Sequence, residues 1–202
     1  MAENRVMKVM LINSSIRKHG CTDRALREVA SALEKDGFQA DIVWLGKDPI
    51  ADSLQPHEKD IADELLAKAG EYDGFVFGTP VYFGNLNGRL TSFLNRFFYG
   101  HGNLFKGKIG AAVASCRRTG GITSVDEIYH WMGLNCMIIP TSCYWNEVHG
   151  NTPSEVEQDL EGLNTMRQLG AMISYLLKLK KLGEENGIAP EMMPVVRTNF
   201  IR

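Results

Sequence analysis

The chain has 202 residues, of which 44% are hydrophobic and 23% charged, the balance of one ordinary globular domain with material for a sizeable core. A formal net charge of -2 with Lys and Arg scattered along the chain lacks the basic stripe that nucleic-acid binding requires. No apolar run reaches the roughly 18 residues of a membrane span, and no basic stretch followed by an apolar one opens the chain. A cytoplasmic protein with a small-molecule partner is expected, with neither nucleic acid nor membrane.

In chain order, Val6 to Ile12 reads as a first strand, followed by a polar loop from Asn13 to Gly20. Thr22 or Asp23 can cap the next helix, in which Ala25, Leu26, Val29, Ala30 and Leu33 share a face and which Gly37 ends. Ile42 to Leu45 is a second strand. A loop with prolines runs from Gly46 to Pro56, and a second helix covers Glu58 to Gly70. Phe75 to Gly78, uniformly apolar, suits a central strand. After the loop Thr79 to Asn85, a third helix carries Leu86, Leu90, Phe93, Leu94, Phe97 and Phe98, more apolar surface than one face needs. Ile109 to Ser115 is a fourth strand, Thr123 to Met132 a fourth helix, Met137 to Ile139 a fifth strand and Glu155 to Leu182 a long last helix. A tail from Gly183 to Arg202, rich in Pro and Met, has no clear period and is expected to reach a neighbouring subunit.

Strands alternating with helices predict an α/β fold: a flavodoxin-like doubly wound sheet of five parallel strands, order 2-1-3-4-5, spanning residues 1–182. Ligands of such sheets sit beyond the carboxyl ends of the strands at the switch point, so the loops after strands one, three and four are the candidate site. The cysteines, Cys21, Cys116, Cys136 and Cys143, lack the two-residue spacing of zinc or iron–sulfur ligands, and no metal is expected. Cys136 and Cys143 read as small buried hydrophobes.

Loop one, Asn13-Ser14-Ser15-Ile16-Arg17-Lys18-His19-Gly20-Cys21-Thr22, gathers hydroxyls, a guanidinium and a helix start. That combination suits a phosphate, although an ordinary polar turn has the same composition. It is neither G-x-G-x-x-G nor a Walker A loop. Loop two, Gly78-Thr79-Pro80-Val81-Tyr82-Phe83-Gly84-Asn85, offers aromatic rings to a flat heterocycle and, at Gly84, a close backbone approach; the same rings could instead close the end of the core.

Ser15-Ile16-Arg17 with Gly20 and Thr22, followed by Thr79 to Asn85, resembles the flavodoxin-like NAD(P)H-dependent FMN reductase family, nearest its branch of iron–sulfur flavoproteins, over residues 6 to 182. The resemblance implies that Ser15, Arg17, Cys21 and Thr22 bind the FMN phosphate and that Pro80, Val81, Tyr82, Phe83, Gly84 and Asn85 pack on the isoalloxazine and ribityl chain. It extends to loop three, Ser115-Cys116-Arg117-Arg118-Thr119-Gly120-Gly121, where Ser115, Arg117, Arg118, Gly120 and Gly121 join the cofactor site. Arg117 and Arg118 have three open roles: stabilising charge at the flavin N1 and O2 edge, binding a nicotinamide phosphate, or standing in solvent.

Two departures from the family pattern stand out. Cys21 replaces a frequent Asn and Ser14 a usual Gly, and Gly46 to Ser53 lacks the cysteine cluster of the iron–sulfur branch, so FMN alone is implied. The expected activity passes electrons from NADPH or NADH through FMN to a flavin, quinone, nitro or azo compound, or metal ion, with no catalytic side chain required. Rival readings are a one-electron carrier of the flavodoxin kind and a scaffold without cofactor. A homodimer or homotetramer is expected from Phe98, Tyr99 and Phe105, large side chains with no obvious place in the core, and its interface is expected to wall the flavin site.

Overall fold

The computed structural model describes residues 5–52, 58–194 and 196–201. Ser53 and Pro56 of the predicted loop lie outside the described residues, as do the first four residues and Val195 and Arg202 of the tail. Five short segments, apolar for most of their length in β1, β3 and β4, form β1 (Lys8–Asn13), β2 (Gln39–Trp44), β3 (Gly74–Pro80), β4 (Ile109–Cys116) and β5 (Glu147–His149). All pair in parallel in the order β2-β1-β3-β4-β5, as predicted.

The period of two in each strand divides the core. Met10, Ile12, Phe75, Phe77, Ala112 and Ala114 face α2 (Ile61–Lys68), α3 (Gly88–Phe98) and α4 (Gly121–Leu134). Val9, Leu11, Val76, Ala111 and Val113 face α1 (Cys21–Lys35) and α6 (Leu160–Glu185). Gly170 of α6 lets that helix cross α1 closely: a Cβ there would lie 2.6 Å from the Cβ of Ala32 and 2.9 Å from the carbonyl oxygen of Val29.

Several expectations are corrected. Strand five is Glu147–His149, beside Ala114–Cys116. The apolar run 137–139 supplies only a single bridge, Ile138 to Ile109, because Pro140 has no N–H to continue the ladder. The last helix is broken into α5 (Pro153–Val156) and α6, since Asp159 leaves helical dihedrals and its carboxylate accepts the N–H of Gly162 at 2.9 Å. Helix α1 begins at Cys21 with Gly20 as its cap, in place of Thr22 or Asp23, and α3 begins at Gly88, after the cap Asn87. Cys136 and Cys143 are exposed; Cys136 sits in a left-handed turn at φ 54° after α4.

Phe98 and Phe105 are buried, their rings 4.6 Å apart and each in contact with Phe97. The segment after α3 folds back under the sheet and covers a wider arc of that helix than its period suggests. Only Tyr99 of the expected interface trio stays exposed.

At the switch point β1 and β3 lie side by side, yet their chains leave to opposite faces of the sheet, β1 into α1 and β3 into α3. Buried side chains tie the diverging ends. Ser14 donates its N–H (3.1 Å) and hydroxyl (2.8 Å) to the carbonyl of Gly78. The Asn87 amide donates to the carbonyl and hydroxyl of Ser14 at 3.2 and 3.0 Å, and its oxygen accepts the Leu90 N–H at 2.8 Å as the cap of α3. Asn87→Ala removes a cap worth about 1 kcal/mol and strands a buried donor–acceptor set worth about 1–3 kcal/mol more. Urea unfolding should show the variant less stable by roughly 2–4 kcal/mol. Asn87→Asp, which keeps the cap and loses the amide donor, should recover about 1 kcal/mol at most; full recovery would show that the bond to Ser14 stabilises nothing.

Candidate functional site

Loop one is organised by its own polar groups before any ligand is considered. The carboxamide oxygen of Asn13 accepts the Ser15 N–H at 3.0 Å, and its NH2 donates to the Lys18 carbonyl at 3.0 Å. The Ser15 hydroxyl accepts the Arg17 N–H at 3.1 Å. The Trp44 indole donates to the Ser15 carbonyl at 2.6 Å, with Lys18 Nζ 5.9 Å from the ring centre. The cap of α1, Gly20, has no side chain to accept from the helix. The first-turn N–H groups, which lack carbonyl partners in their own helix, are therefore free to face an anion.

A phosphate monoester fits this donor set: first-turn N–H groups, the buried hydroxyls of Ser15 and Thr22, and the exposed guanidinium of Arg17, whose contact with the Asn151 carbonyl is a loose 3.5 Å. The Cys21 thiol turns to the Gly150 carbonyl at 3.5 Å, and burial raises its pKa against the pull of Arg17. What Cys21 offers an anion is thus its backbone N–H at the helix start.

Loop two forms a tight turn. Tyr82 and Asn85 exchange backbone bonds at 2.9 and 3.1 Å, with Phe83 at φ 52° and Gly84 at φ 78° between them. A phenylalanine in the left-handed region is strained by about 1–2 kcal/mol. Phe83 is fully exposed and Tyr82 43% exposed, which rules out the reading in which these rings close the core. Val81 donates its N–H to the Ser115 carbonyl at 2.9 Å.

Loop three locks onto the other two. The Ser115 and Thr22 hydroxyls meet at 2.8 Å. A Cβ on Gly120, at φ 99°, would lie 2.7 Å from the Cα of Gly84 and 2.8 Å from Val81, so only glycine permits this contact. Gly121 begins α4. Arg117 and Arg118 stand exposed at the rim. The structure thus gathers Ser15, Arg17, Cys21, Thr22, Pro80, Val81, Tyr82, Phe83, Gly84, Asn85, Ser115, Arg117, Arg118, Gly120 and Gly121 at one end of the sheet.

Two other residues here, Asn87 and Glu147, were not foreseen. Asn87 gave a signal, since an Asn three residues before Leu90 is a cap pattern. Glu147 gave none. The thiol of Cys116 lies 3.9 Å from its carboxylate, and burial, reinforced by that negative charge, pushes the thiol pKa up to about 11. Beside α4 lies a cavity of about 350 Å³ lined by Ile122, Val125, Tyr129, Cys143, Tyr144 and Trp145 among others.

With this geometry in view, the comparisons with known proteins agree. Residues 7–151 match the NADPH-dependent FMN reductase family. An iron–sulfur flavoprotein of Methanocaldococcus jannaschii is 30% identical over 200 residues, 87% of this chain and 100% of that protein. An NAD(P)H dehydrogenase (quinone) of Acidithiobacillus ferrooxidans is 27% identical over 172 residues, 72% of this chain and 80% of that protein. The flavodoxin, WrbA-like protein of Agrobacterium tumefaciens superposes with a TM-score of 0.65 at 15% identity, over 86% of this chain and 98% of that one; this likeness bears on the fold alone. The sequence match and the flavodoxin-like sheet together make this chain a member of the NADPH-dependent FMN reductase family, and so an oxidoreductase.

Proposed function

We propose that this oxidoreductase holds FMN at the three interlocked loops and passes electrons from NADPH or NADH through it to a small acceptor. The observation that carries the reading is that an anion cradle and an outward-facing aromatic turn sit at the same end of the sheet, joined through the contacts of Ser14, Thr22, Ser115 and Gly120. Bound FMN would supply the chemistry, a ring nitrogen that takes hydride and a ring system that hands electrons on. The residues of the chain bind and orient. Ser15, Arg17, Thr22 and the Cys21 N–H hold the phosphate. Pro80 to Asn85, with Gly120 and Gly121, would bed the ring, and Arg117 and Arg118 would stabilise the negative charge that reduction places on it. The cavity of about 350 Å³ bounded by Tyr144 and Trp145 offers volume for part of a nicotinamide or for a flat acceptor such as a quinone.

The loop after β2, where the resemblance would place a cysteine cluster, contains no cysteine, so the cofactor is FMN without an iron–sulfur partner. The purified protein should be yellow, release FMN and not FAD, contain no acid-labile sulfide, and bleach rapidly with NADPH or NADH without a partner reductase. Bleaching only through an added reductase would favour a one-electron carrier. Arg17→Ala with Thr22→Ala removes charge-assisted bonds worth roughly 1.5–3 kcal/mol each, so FMN affinity should fall by about two to four powers of ten. Unchanged affinity in that double variant would put the phosphate elsewhere.

A homodimer or homotetramer remains part of this reading, on altered grounds. Tyr99 and Leu134 are exposed, as are Met193, Val196, Phe200 and Ile201 of the tail. Tyr99 follows the far end of α3, about 16 Å along that helix from the ring-binding turn. Phe98 and Phe105 no longer argue for a subunit leaning over the flavin. In light scattering the intact chain should be oligomeric, and truncation after Gly187 together with Tyr99→Glu should shift it toward monomer; an unchanged oligomer in that variant would place the interface on another face.

A further inference from the structure

At the carboxyl ends of β4 and β5, three donor side chains of different chemistry converge. The sulfur of Cys116, a carboxylate oxygen of Glu147 and an imidazole nitrogen of His149 all lie within 4.8 Å of one another. The register explains the convergence: Cys116 pairs with His149 and Ala114 with Glu147, and the period of two turns Glu147 and His149 to the face that carries α4. Gly121 gives the carboxylate room, since a Cβ there would stand 1.5 Å from its oxygen. The N-terminus of α4 would account for a carboxylate at that point by itself. It does not account for a buried thiol and an imidazole brought to the same place.

We propose that Cys116, Glu147 and His149 form a three-ligand site for a divalent cation of the zinc class, with a fourth position open to water. A sulfur, a nitrogen and an oxygen donor suit such an ion, whereas Mg²⁺ and Ca²⁺ prefer oxygen alone. Tetrahedral bonds of about 2.3 Å to sulfur and about 2.0–2.1 Å to nitrogen and oxygen need donor separations of roughly 3.3–3.6 Å. The thiol and the carboxylate already stand 3.9 Å apart, so closing the triangle asks for donor movements on the order of an ångström. Binding displaces the thiol proton to solvent. Behind the imidazole, a carboxylate oxygen of Asp159 lies 3.7 Å from His149 Nδ1 and accepts the His149 backbone N–H at 2.6 Å. With Nε2 on the metal, a small rotation that brings Nδ1–H within hydrogen-bond distance of this carboxylate would let it orient the ligating histidine. The site shares no side chain with the phosphate cradle beside it, whose Cys21 thiol reaches the Gly150 carbonyl next to His149, and adds a cation function to the rim of the crevice.

Cobalt titration of the full-length protein, freed of metal by a chelator and with its flavin content measured, tests the assignment. One Co²⁺ per chain should give tetrahedral d–d bands to the red of flavin absorption, and one equivalent of Zn²⁺ should abolish them. Cys116→Ser and the surface change His149→Ala should each weaken Co²⁺ binding at least a hundredfold. Asp159→Asn, which keeps an oxygen to cap α6, should weaken it by about 10–100-fold. No tetrahedral bands in the wild type, or bands unchanged in His149→Ala and Cys116→Ser, would overturn the site. The bands read the same way in a colourless preparation, so failure of the flavin reading and failure of the metal site are distinct results.

Discussion

The bonds of Ser14 with Gly78 and Asn87 hold the place where this sheet opens. Two neighbouring parallel strands that send their chains to opposite faces must splay, and splaying uncovers carbonyls that no strand can pair. In a site this dry an unpaired carbonyl costs about as much as a whole helix cap contributes. One serine and one asparagine satisfy the set, and the geometry they fix sets the rest. Loop one is held at the mouth of the crevice, α3 starts where Asn87 places it, and the aromatic turn between β3 and α3 is held between two anchored ends.

Much of this was legible in the sequence because parallel strands covered on both faces read as plain apolar runs, and β1, β3 and β4 do so. The site loops were legible because their residues, hydroxyls beside a guanidinium and adjacent rings beside a glycine, suit no core. What failed depended on partners distant in sequence. Glu147-Val148-His149 has no strand signature and forms one because Ala114 to Cys116 offers an edge. Phe98 and Phe105 looked surplus to a helix period that takes no account of a loop folding back beneath it. Cys136 and Cys143 followed the usual habit of free cysteine, but one occupies a left-handed turn and the other an open loop.

The small net charge also conceals a local asymmetry. Arg17, Lys18, Arg117 and Arg118 all belong to loops at the carboxyl ends of the strands, and all are exposed. Glu147, Glu155 and Asp159 lie at the same end of the sheet and offset these charges in part. Such a mouth draws phosphate-bearing molecules at low salt and less so at high salt, as exposed charges are screened within about a Debye length. Overall charge is therefore a poor guide to how this protein meets its ligands.

The brevity of β5 bears on how copies of the chain can associate. A sheet edge invites another strand in proportion to the unpaired backbone it presents, and three residues followed by Gly150 at φ 158° present little. The opposite edge, β2, carries Asp41 in mid-strand, engaged by the Tyr72 hydroxyl at 2.9 Å, and a charge there discourages a flat hydrophobic neighbour. Extension of the sheet from one molecule into the next is thus disfavoured at both ends. Any association of copies is thereby left to other surfaces, the helix faces among them.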